Sequence, residues 1–103
     1  MEHYTNEWES SGHLYLTRIP NITLEQRNEI INKMAERGVA CNVHYKPLPM
    51  HTAYKNLGFN ITDYPNAYEL FKNEITLPLH TCLTDEEISY VIEQYIEIVK
   101  EYI

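Results

Sequence analysis

The order of strand-like and helix-like stretches restricts the fold of this 103-residue chain more than any other feature. Helical patterns separate and follow three stretches rich in strand-forming residues, which are 13–19 (HLYLTRI), 39–46 (VACNVHYK) and 74–79 (EITLPL). This order predicts a mixed α+β domain of two layers, with a three-stranded sheet and helices packed mainly on one face. It leaves the strand directions open. Residues 1–12 are predicted as an irregular lead-in and residues 13–103 as the domain.

Capping residues mark where the helices begin and end. Gln26 follows Thr23 by three positions and Glu87 follows Thr84 likewise, which is the spacing of a capping box. Gly38 is a typical C-terminal stop for the first helix. Two further helices are expected over 50–57 and after Pro65. The long last helix carries an apolar stripe at helical spacing: Ile88, Val91, Ile92, Tyr95, Ile96, Val99, Tyr102 and Ile103.

The strands are expected to present one apolar face and one mixed face, because side chains alternate along a strand. The apolar faces, expected to meet the helices, include Leu14, Leu16, Val39, Cys41, Val43, Ile75 and Leu77. The mixed face would gather His13, Tyr15, Asn42, His44, Thr76 and His80. Such a face is either solvated, as antiparallel sheets allow, or docked against a partner. The residue pattern alone leaves both interpretations open.

The charge balance argues against several classes of function. Fifteen acidic and eight basic residues leave a formal charge of −7, whereas nucleic acids and anionic membranes both require a basic surface. The sequence has no apolar stretch of membrane-spanning length, and its first residues lack the features of a signal peptide. We therefore expect a cytoplasmic protein in which Cys41 and Cys82 are free thiols.

A metal site is not favoured. Cys41, His44, His80 and Cys82 are residue types that zinc accepts. Cys41 and His44 are three positions apart, however, so in a strand their side chains would point to opposite faces. The sequence also lacks a recognisable nucleophile turn, a P-loop and a GxGxxG motif.

His44 lies where the second predicted strand runs into a loop that contains Pro47 and Pro49. A structural role would be a hydrogen bond to the backbone at the strand end. A functional role would be contact with a polar ligand, since loops held by a rigid scaffold often carry binding groups. The local pattern favours the structural role slightly.

Several longer segments resemble a known family. They are 10–19 (SSGHLYLTRI), 27–39 (RNEIINKMAERGV), 38–51 (GVACNVHYKPLPMH), 54–59 (YKNLGF) and 63–95 (DYPNAYELFKNEITLPLHTCLTDEEISYVIEQY). Together they are similar to the C-terminal small domain of the DegT/DnrJ/EryC1/StrS aminotransferases. The similarity extends from about Ser10 to the end of the chain.

The resemblance implies a part in a pyridoxal-phosphate enzyme. Members transfer an amino group, usually from glutamate, to a keto sugar attached to a nucleotide, and the products feed surface polysaccharides or glycosylated metabolites. A large domain holds the cofactor through a lysine, and the small domain closes one side of the active-site cleft. Only the small domain is resembled here, so no cofactor is expected in this chain. None of its lysines matches the family's cofactor-bearing segment: Lys33, Lys46, Lys55, Lys72 and Lys100.

The resemblance also implies substrate-binding residues. The family commonly has His-Tyr-x-Pro-Leu-His, and His44 and Tyr45 match its first two positions. The next histidine here is His51, which is displaced by two positions from the family's second histidine. His44, Tyr45 and His51 are therefore the predicted substrate-binding residues. No catalytic, cofactor-binding or metal-binding residue is expected.

Two kinds of partner are compatible with this sequence. The large cofactor-binding domain is the expected partner if the chain is a domain or fragment of a nucleotide-sugar aminotransferase. The alternative is a stand-alone interaction module, or an inactive remnant, that oligomerises through its exposed sheet face.

Overall fold

Two strands and four α-helices make up the regular structure of residues 3–103, which are the residues that the computed structural model describes. Residues 1 and 2 of the predicted lead-in lie outside the described residues. The elements in chain order are β1 (Tyr15–Arg18), α1 (Leu24–Glu36), α2 (Thr52–Asn56), α3 (Pro65–Lys72), β2 (Glu74–Leu77) and α4 (Asp85–Val99). Short 3₁₀ helices occupy Leu48–Met50 and Ile61–Asp63. None of the described helices is both long and apolar enough to cross a membrane.

The mixed α+β class is confirmed, but the prediction of a three-stranded sheet is wrong. The sheet within the described residues consists of β1 and β2, paired antiparallel with Tyr15 opposite Leu77. The segment 39–46 joins it only at Asn42. The backbone of Asn42 exchanges hydrogen bonds of 3.0 and 2.8 Å with that of Thr76.

Side chains end the ladder next to Asn42. The backbone N–H of Val43 donates to the side-chain oxygen of Asn42 at 2.8 Å, and that of His44 donates to the carboxylate of Glu74 at 2.9 Å. A strand continues only while successive main-chain groups pair with a neighbouring strand. Since side chains accept these N–H groups, the alternating residues of 39–46 make one bridge instead of a strand.

Both predicted capping boxes are confirmed. The Thr23 side chain accepts the N–H of Gln26 while the Gln26 side chain accepts the N–H of Thr23, and Thr84 and Glu87 are paired in the same way. Gly38 follows α1 at a φ of 79°, a left-handed conformation that glycine adopts without steric cost. These local bonds fix the ends of the helices that cover the sheet.

The core lies between the sheet and the helix pair α1 and α4. Ile30 and Met34 of α1, Ile75 of β2 and Ile98 of α4 have no solvent exposure. Arg27 of α1 is also buried, with its guanidinium carbon 4.7 Å from the centre of the Phe71 ring. The hydrophobic side chains of β2 and of two helices therefore close one face of the sheet.

β1 turns the opposite face to the core from the one predicted. Thr17 lies opposite Ile75 on the core side, whereas Leu16 lies opposite Thr76 and is 41% exposed. The two faces of β1 are nearly equal in apolar character, so its own sequence decides little. The strongly apolar face of β2 sets the orientation through the register.

The apolar stripe of α4 is wider than the surface that α4 buries. The residues that pack against the core are Val91, Tyr95, Val99 and Tyr102, together with Ile98, which the stripe did not include. Ile88, Ile92 and Ile96, spaced four residues apart, are 40%, 47% and 47% exposed. One side of α4 thus serves the core, and these three isoleucines form a second, exposed apolar side.

Candidate functional site

A shallow cleft of about 190 Å³ lies beside the end of β2, on the side of Thr76. It is lined by four residues of the predicted mixed face, which confirms that they come together: His13, Asn42, His44 and Thr76. Two others of that set lie elsewhere. Tyr15 faces the core side, opposite Leu77, and His80 lines a different groove with Tyr90.

His44 is held in this cleft through its ring and its backbone. Its ring Nδ1 lies 2.9 Å from the Thr76 hydroxyl oxygen, and its backbone N–H donates to Oε2 of Glu74 at 2.9 Å. The Thr76 hydroxyl donates to Oε1 of Glu74 at 2.5 Å. His44 therefore makes structural hydrogen bonds, while its Nε2 has no hydrogen-bond partner within residues 3–103.

Glu74 is the residue of this site that sequence reasoning missed. It is 2% exposed although it carries a carboxylate, and such groups are rarely buried unless they are hydrogen-bonded or paired. Both of its carboxylate oxygens accept hydrogen bonds, and the Nη1 of Arg27 lies 3.5 Å from its backbone oxygen. Burial lowers the pKa of Arg27, and attraction to Glu74 opposes that effect. The sequence did contain one signal that could have identified Glu74. It stands two positions before Thr76, and side chains two positions apart lie on the same face of a strand.

Tyr45, the second of the predicted substrate-binding residues, is strongly exposed. Its side chain is 70% exposed, and its ring lies edge-on to that of His44 with the centroids 4.6 Å apart. The peptide bond between the two residues is cis. An exposed phenol beside an anchored imidazole provides polar groups together with an aromatic surface.

His51 lies on the turn between the 3₁₀ helix Leu48–Met50 and α2. Its Nε2 is 3.3 Å from the backbone oxygen of Lys46, and its side chain is exposed. This contact folds the Pro47–Pro49 loop back on itself, so His51 belongs to the loop that follows Tyr45. His51 is not one of the residues that line the cleft with His44.

The lysines for which the structure gives contacts do not match a cofactor-bearing lysine. Lys33 is ion-paired with Glu101, and Lys72 with Glu69. The hydrogen bond to Glu101 raises the pKa of Lys33, whereas a lysine that attacks a carbonyl must first lose its proton. These residues therefore do not fit pyridoxal phosphate, and no step of its chemistry is assigned to them.

The cysteines and histidines do not converge on a metal-binding arrangement in the described part of the chain. Within residues 3–103, no three His, Cys, Asp or Glu side chains are placed to share an ion. Cys41 is half-buried, and burial raises the pKa of its thiol to about 11. Cys82 is exposed. Both thiols are free.

Comparison with known proteins gives consistent matches. The model of the DegT/DnrJ/EryC1/StrS aminotransferase family matches residues 1–95. The PLP form of Spr1654 from Streptococcus pneumoniae, described as a sugar aminotransferase, superposes on 100% of this chain and 26% of its own, with a TM-score of 0.94 and 55% identity. PseC from Helicobacter pylori, an aminotransferase involved in the biosynthesis of pseudoaminic acid, covers 90% of this chain and 25% of its own at a TM-score of 0.81 and 27% identity. The spore coat polysaccharide biosynthesis protein SpsC of Bacillus subtilis is 32% identical over 91 residues, which are 85% of this chain and 23% of SpsC.

The family match includes the cleft residues and α1 and ends within α4, whereas the superposition on Spr1654 covers the whole chain. The chain spans about a quarter of the length of these relatives. Spr1654 has been solved with pyridoxal phosphate and with its amino form, which agrees with a family that uses this cofactor. Because the family model covers nearly the whole sequence, this chain belongs to the DegT/DnrJ/EryC1/StrS aminotransferase family.

Proposed function

We propose that this chain forms the substrate side of the active-site cleft in a nucleotide-sugar aminotransferase. The complete enzyme would transfer an amino group, usually from glutamate, to a keto sugar attached to a nucleotide. The observation that carries the proposal is the anchored His44 at a cleft, in a chain whose whole length superposes on part of Spr1654. The name of SpsC supports a place in the synthesis of a surface or coat polysaccharide.

In this proposal the chain contributes positioning and closure, and proton transfer at the reacting carbon occurs elsewhere. His44 offers a ring nitrogen, and the exposed Tyr45 offers a hydroxyl and an aromatic face. His51 adds a polar group from the same loop. Such groups bind sugar hydroxyls by hydrogen bonds and nucleotide bases by stacking.

The cofactor would be held by the part of the enzyme that corresponds to the remaining three-quarters of the relatives. This assignment is supported by the ion pairs of Lys33 and Lys72, which keep both ammonium groups engaged at the surface. A cytoplasmic location belongs to the same proposal. Free thiols at Cys41 and Cys82 agree with a reducing compartment.

We further propose that the exposed apolar side of α4 docks against that larger part. Ile88 and Ile92 border an apolar groove of about 190 Å³ that also includes Leu79 and Tyr15, and Ile96 continues the row. Contiguous exposed apolar surface of this kind is typical of an interface. A region that spans a quarter of its relatives has a partner available in the rest of such an enzyme.

A chimera tests the substrate role directly. The matching segment of Spr1654 is replaced by this chain, and amino transfer from glutamate to keto-sugar nucleotides is measured. We expect the chimera to be active and His44→Ala to raise the KM for the sugar nucleotide by about tenfold, the effect of one lost hydrogen bond. His80→Ala, which alters an exposed histidine outside the cleft, is the matched control. An active chimera that tolerates both His44→Ala and Tyr45→Ala without change would contradict the proposal.

The alternative is a module that oligomerises through its sheet face. Measuring the molecular mass of the chain in solution distinguishes it from a domain that docks through α4. Leu16 is exposed on that face, and Ile92 is exposed on α4. A stable dimer of the chain that Leu16→Lys dissociates and Ile92→Asp leaves intact would favour the alternative. A chain whose association with the remaining part of Spr1654 is abolished by Ile92→Asp would support docking through α4.

A further inference from the structure

Glu74, Thr76 and His44 form a continuous hydrogen-bonded series that begins in the interior and ends in the cleft. Glu74 is 2% exposed and Thr76 is 5% exposed, whereas His44 is half-buried at the cleft. The distances are 2.5 Å from the Thr76 hydroxyl to Oε1 of Glu74 and 2.9 Å from that hydroxyl to Nδ1 of His44. The second carboxylate oxygen accepts the backbone N–H of His44.

The direction of each hydrogen bond follows from proton counting. A carboxylate oxygen can only accept, and a threonine hydroxyl has a single proton to donate. Both carboxylate oxygens of Glu74 are acceptors here, Oε1 from the Thr76 hydroxyl and Oε2 from the backbone N–H of His44. Because Thr76 gives its proton to Glu74, its oxygen is left to accept from His44. The neutral ring of His44 must therefore carry its proton on Nδ1.

We infer that Glu74 and Thr76 are positioning residues that hold His44 as the Nδ1–H tautomer, so that its Nε2 faces the ligand as a hydrogen-bond acceptor. An acceptor at this position selects a donor on the ligand, such as a sugar hydroxyl. It offers nothing to a phosphate or carboxylate oxygen. The ligand part of this inference rests on the proposed function, whereas the tautomer belongs to the free chain and is measured without substrate.

The tautomer is measured by two-bond ¹H–¹⁵N correlation spectra of the ¹⁵N-labelled full chain at a pH where His44 is neutral. The His44 signals are identified by their absence in His44→Gln. We expect a proton on Nδ1 in the unmodified chain and in Thr76→Ser, which keeps the hydroxyl. Thr76→Val keeps the shape but removes the hydroxyl, so His44 should change to the Nε2–H form that predominates for histidine in water. The exposed His80 should be the same in all variants.

Two outcomes would overturn the inference: an Nε2–H ring in the unmodified chain, or an Nδ1–H ring that persists in Thr76→Val. Near-ultraviolet circular dichroism shows whether each variant remains folded, and Glu74→Gln provides the informative variant if the valine variant unfolds. The amide that replaces the carboxylate in Glu74→Gln can donate to the Thr76 oxygen, so the direction of the Thr76 bond is no longer fixed and the Nε2–H form of His44 should appear. An Nδ1–H ring that is unchanged in Glu74→Gln would overturn the role of Glu74.

The ligand part is tested in the Spr1654 chimera. Thr76→Val should raise the KM for the sugar nucleotide about tenfold while kcat is retained, and Thr76→Ser should restore it. If Thr76→Val leaves the KM of the chimera unchanged while the spectra show an Nδ1–H ring in the unmodified chain, the ligand part is overturned and the tautomer assignment remains. An inactive chimera that binds no sugar nucleotide would count against the proposed function, whereas the spectra would still decide the tautomer.

Discussion

The hydroxyl groups of Thr17 and Tyr95 lie 2.7 Å apart and join β1 to α4 across 78 positions of sequence. Thr17 donates its proton to the backbone oxygen of Ile75 at 2.7 Å, so the Tyr95 hydroxyl is the donor to Thr17. Burial raises the pKa of Tyr95, which keeps this donor protonated at neutral pH. The Thr17 hydroxyl thus joins β1 to α4 through Tyr95 and β1 to β2 through Ile75.

Tyr95→Phe removes one of these hydrogen bonds and should lower the free energy of unfolding by about 1 kcal/mol. Thr17 keeps its bond to Ile75 in this variant. Urea denaturation followed by circular dichroism measures the change. Tyr4→Phe is the matched control, because Tyr4 is 71% exposed. Equal stability of the two variants would contradict the assigned hydrogen bond.

Ile98 and Ile92 should differ sharply in their importance for stability. Ile98 has no solvent exposure, so Ile98→Ala should cost about 2–5 kcal/mol through lost burial and a residual cavity. Ile92 is 47% exposed on the same helix, so Ile92→Ala should cost less than about 1 kcal/mol. Denaturation midpoints of the two variants give the comparison. The reverse order would mean that α4 packs through its other side.

Cys41 should react with iodoacetamide more slowly than Cys82 at pH 8, by roughly tenfold or more, since the thiolate is the reactive form. Burial raises the pKa of Cys41 from 9.0 to about 11, whereas Cys82 is exposed. Mass spectrometry of Cys41→Ser and Cys82→Ser follows each thiol separately. In urea the two rates should converge. Equal rates in the folded chain would show that Cys41 is accessible.

The raised pKa of Cys41 also predicts a pH dependence of stability. The unfolded chain loses the thiol proton before the folded chain does, so the contribution of this group is complete below pH 9 and declines as the pH rises from 9.0 towards about 11. Urea midpoints at both ends of this range measure the decline. It should be smaller in Cys41→Ser. A decline of the same size in that variant would assign the effect to other groups.

The chain alone should not form a single specific adduct with pyridoxal phosphate. After borohydride reduction we expect low labelling spread over several lysines, because the contacts of Lys33 and Lys72 are surface ion pairs. Peptide mapping by mass spectrometry locates the label. Spr1654, solved in its PLP form, is the positive control and should give one main site. One stoichiometric adduct on this chain, accompanied by amino transfer, would contradict the assignment of the cofactor to the rest of the enzyme.

Local signals in the sequence predicted local structure well. The capping boxes at Thr23 and Thr84 depend on residues three positions apart, and Gly38 ends α1 through its own backbone conformation. Neighbours along the chain decide these features, so they do not depend on how the rest folds. The grouping of Asn42, His44 and Thr76 also followed from the alternation along the predicted strands. His13 precedes β1 and lines the same cleft although β1 presents the opposite face from the one predicted.

Contacts between segments that are distant in sequence decided the features that the sequence did not predict. Whether 39–46 becomes a strand depends on Glu74, which takes the N–H of His44 from 30 positions away. The orientation of β1 depends on the apolar face of β2, and the burial of Ile98 depends on where α1 lies. The sequence by itself determined the presence of the helices, the capped starts of α1 and α4, the end of α1 and the family. Only the tertiary structure decided that the sheet has two strands, with 39–46 joined at one bridge, and that Glu74 belongs to the site. The reason is that a hydrogen-bond donor pairs with whichever acceptor folding brings within reach.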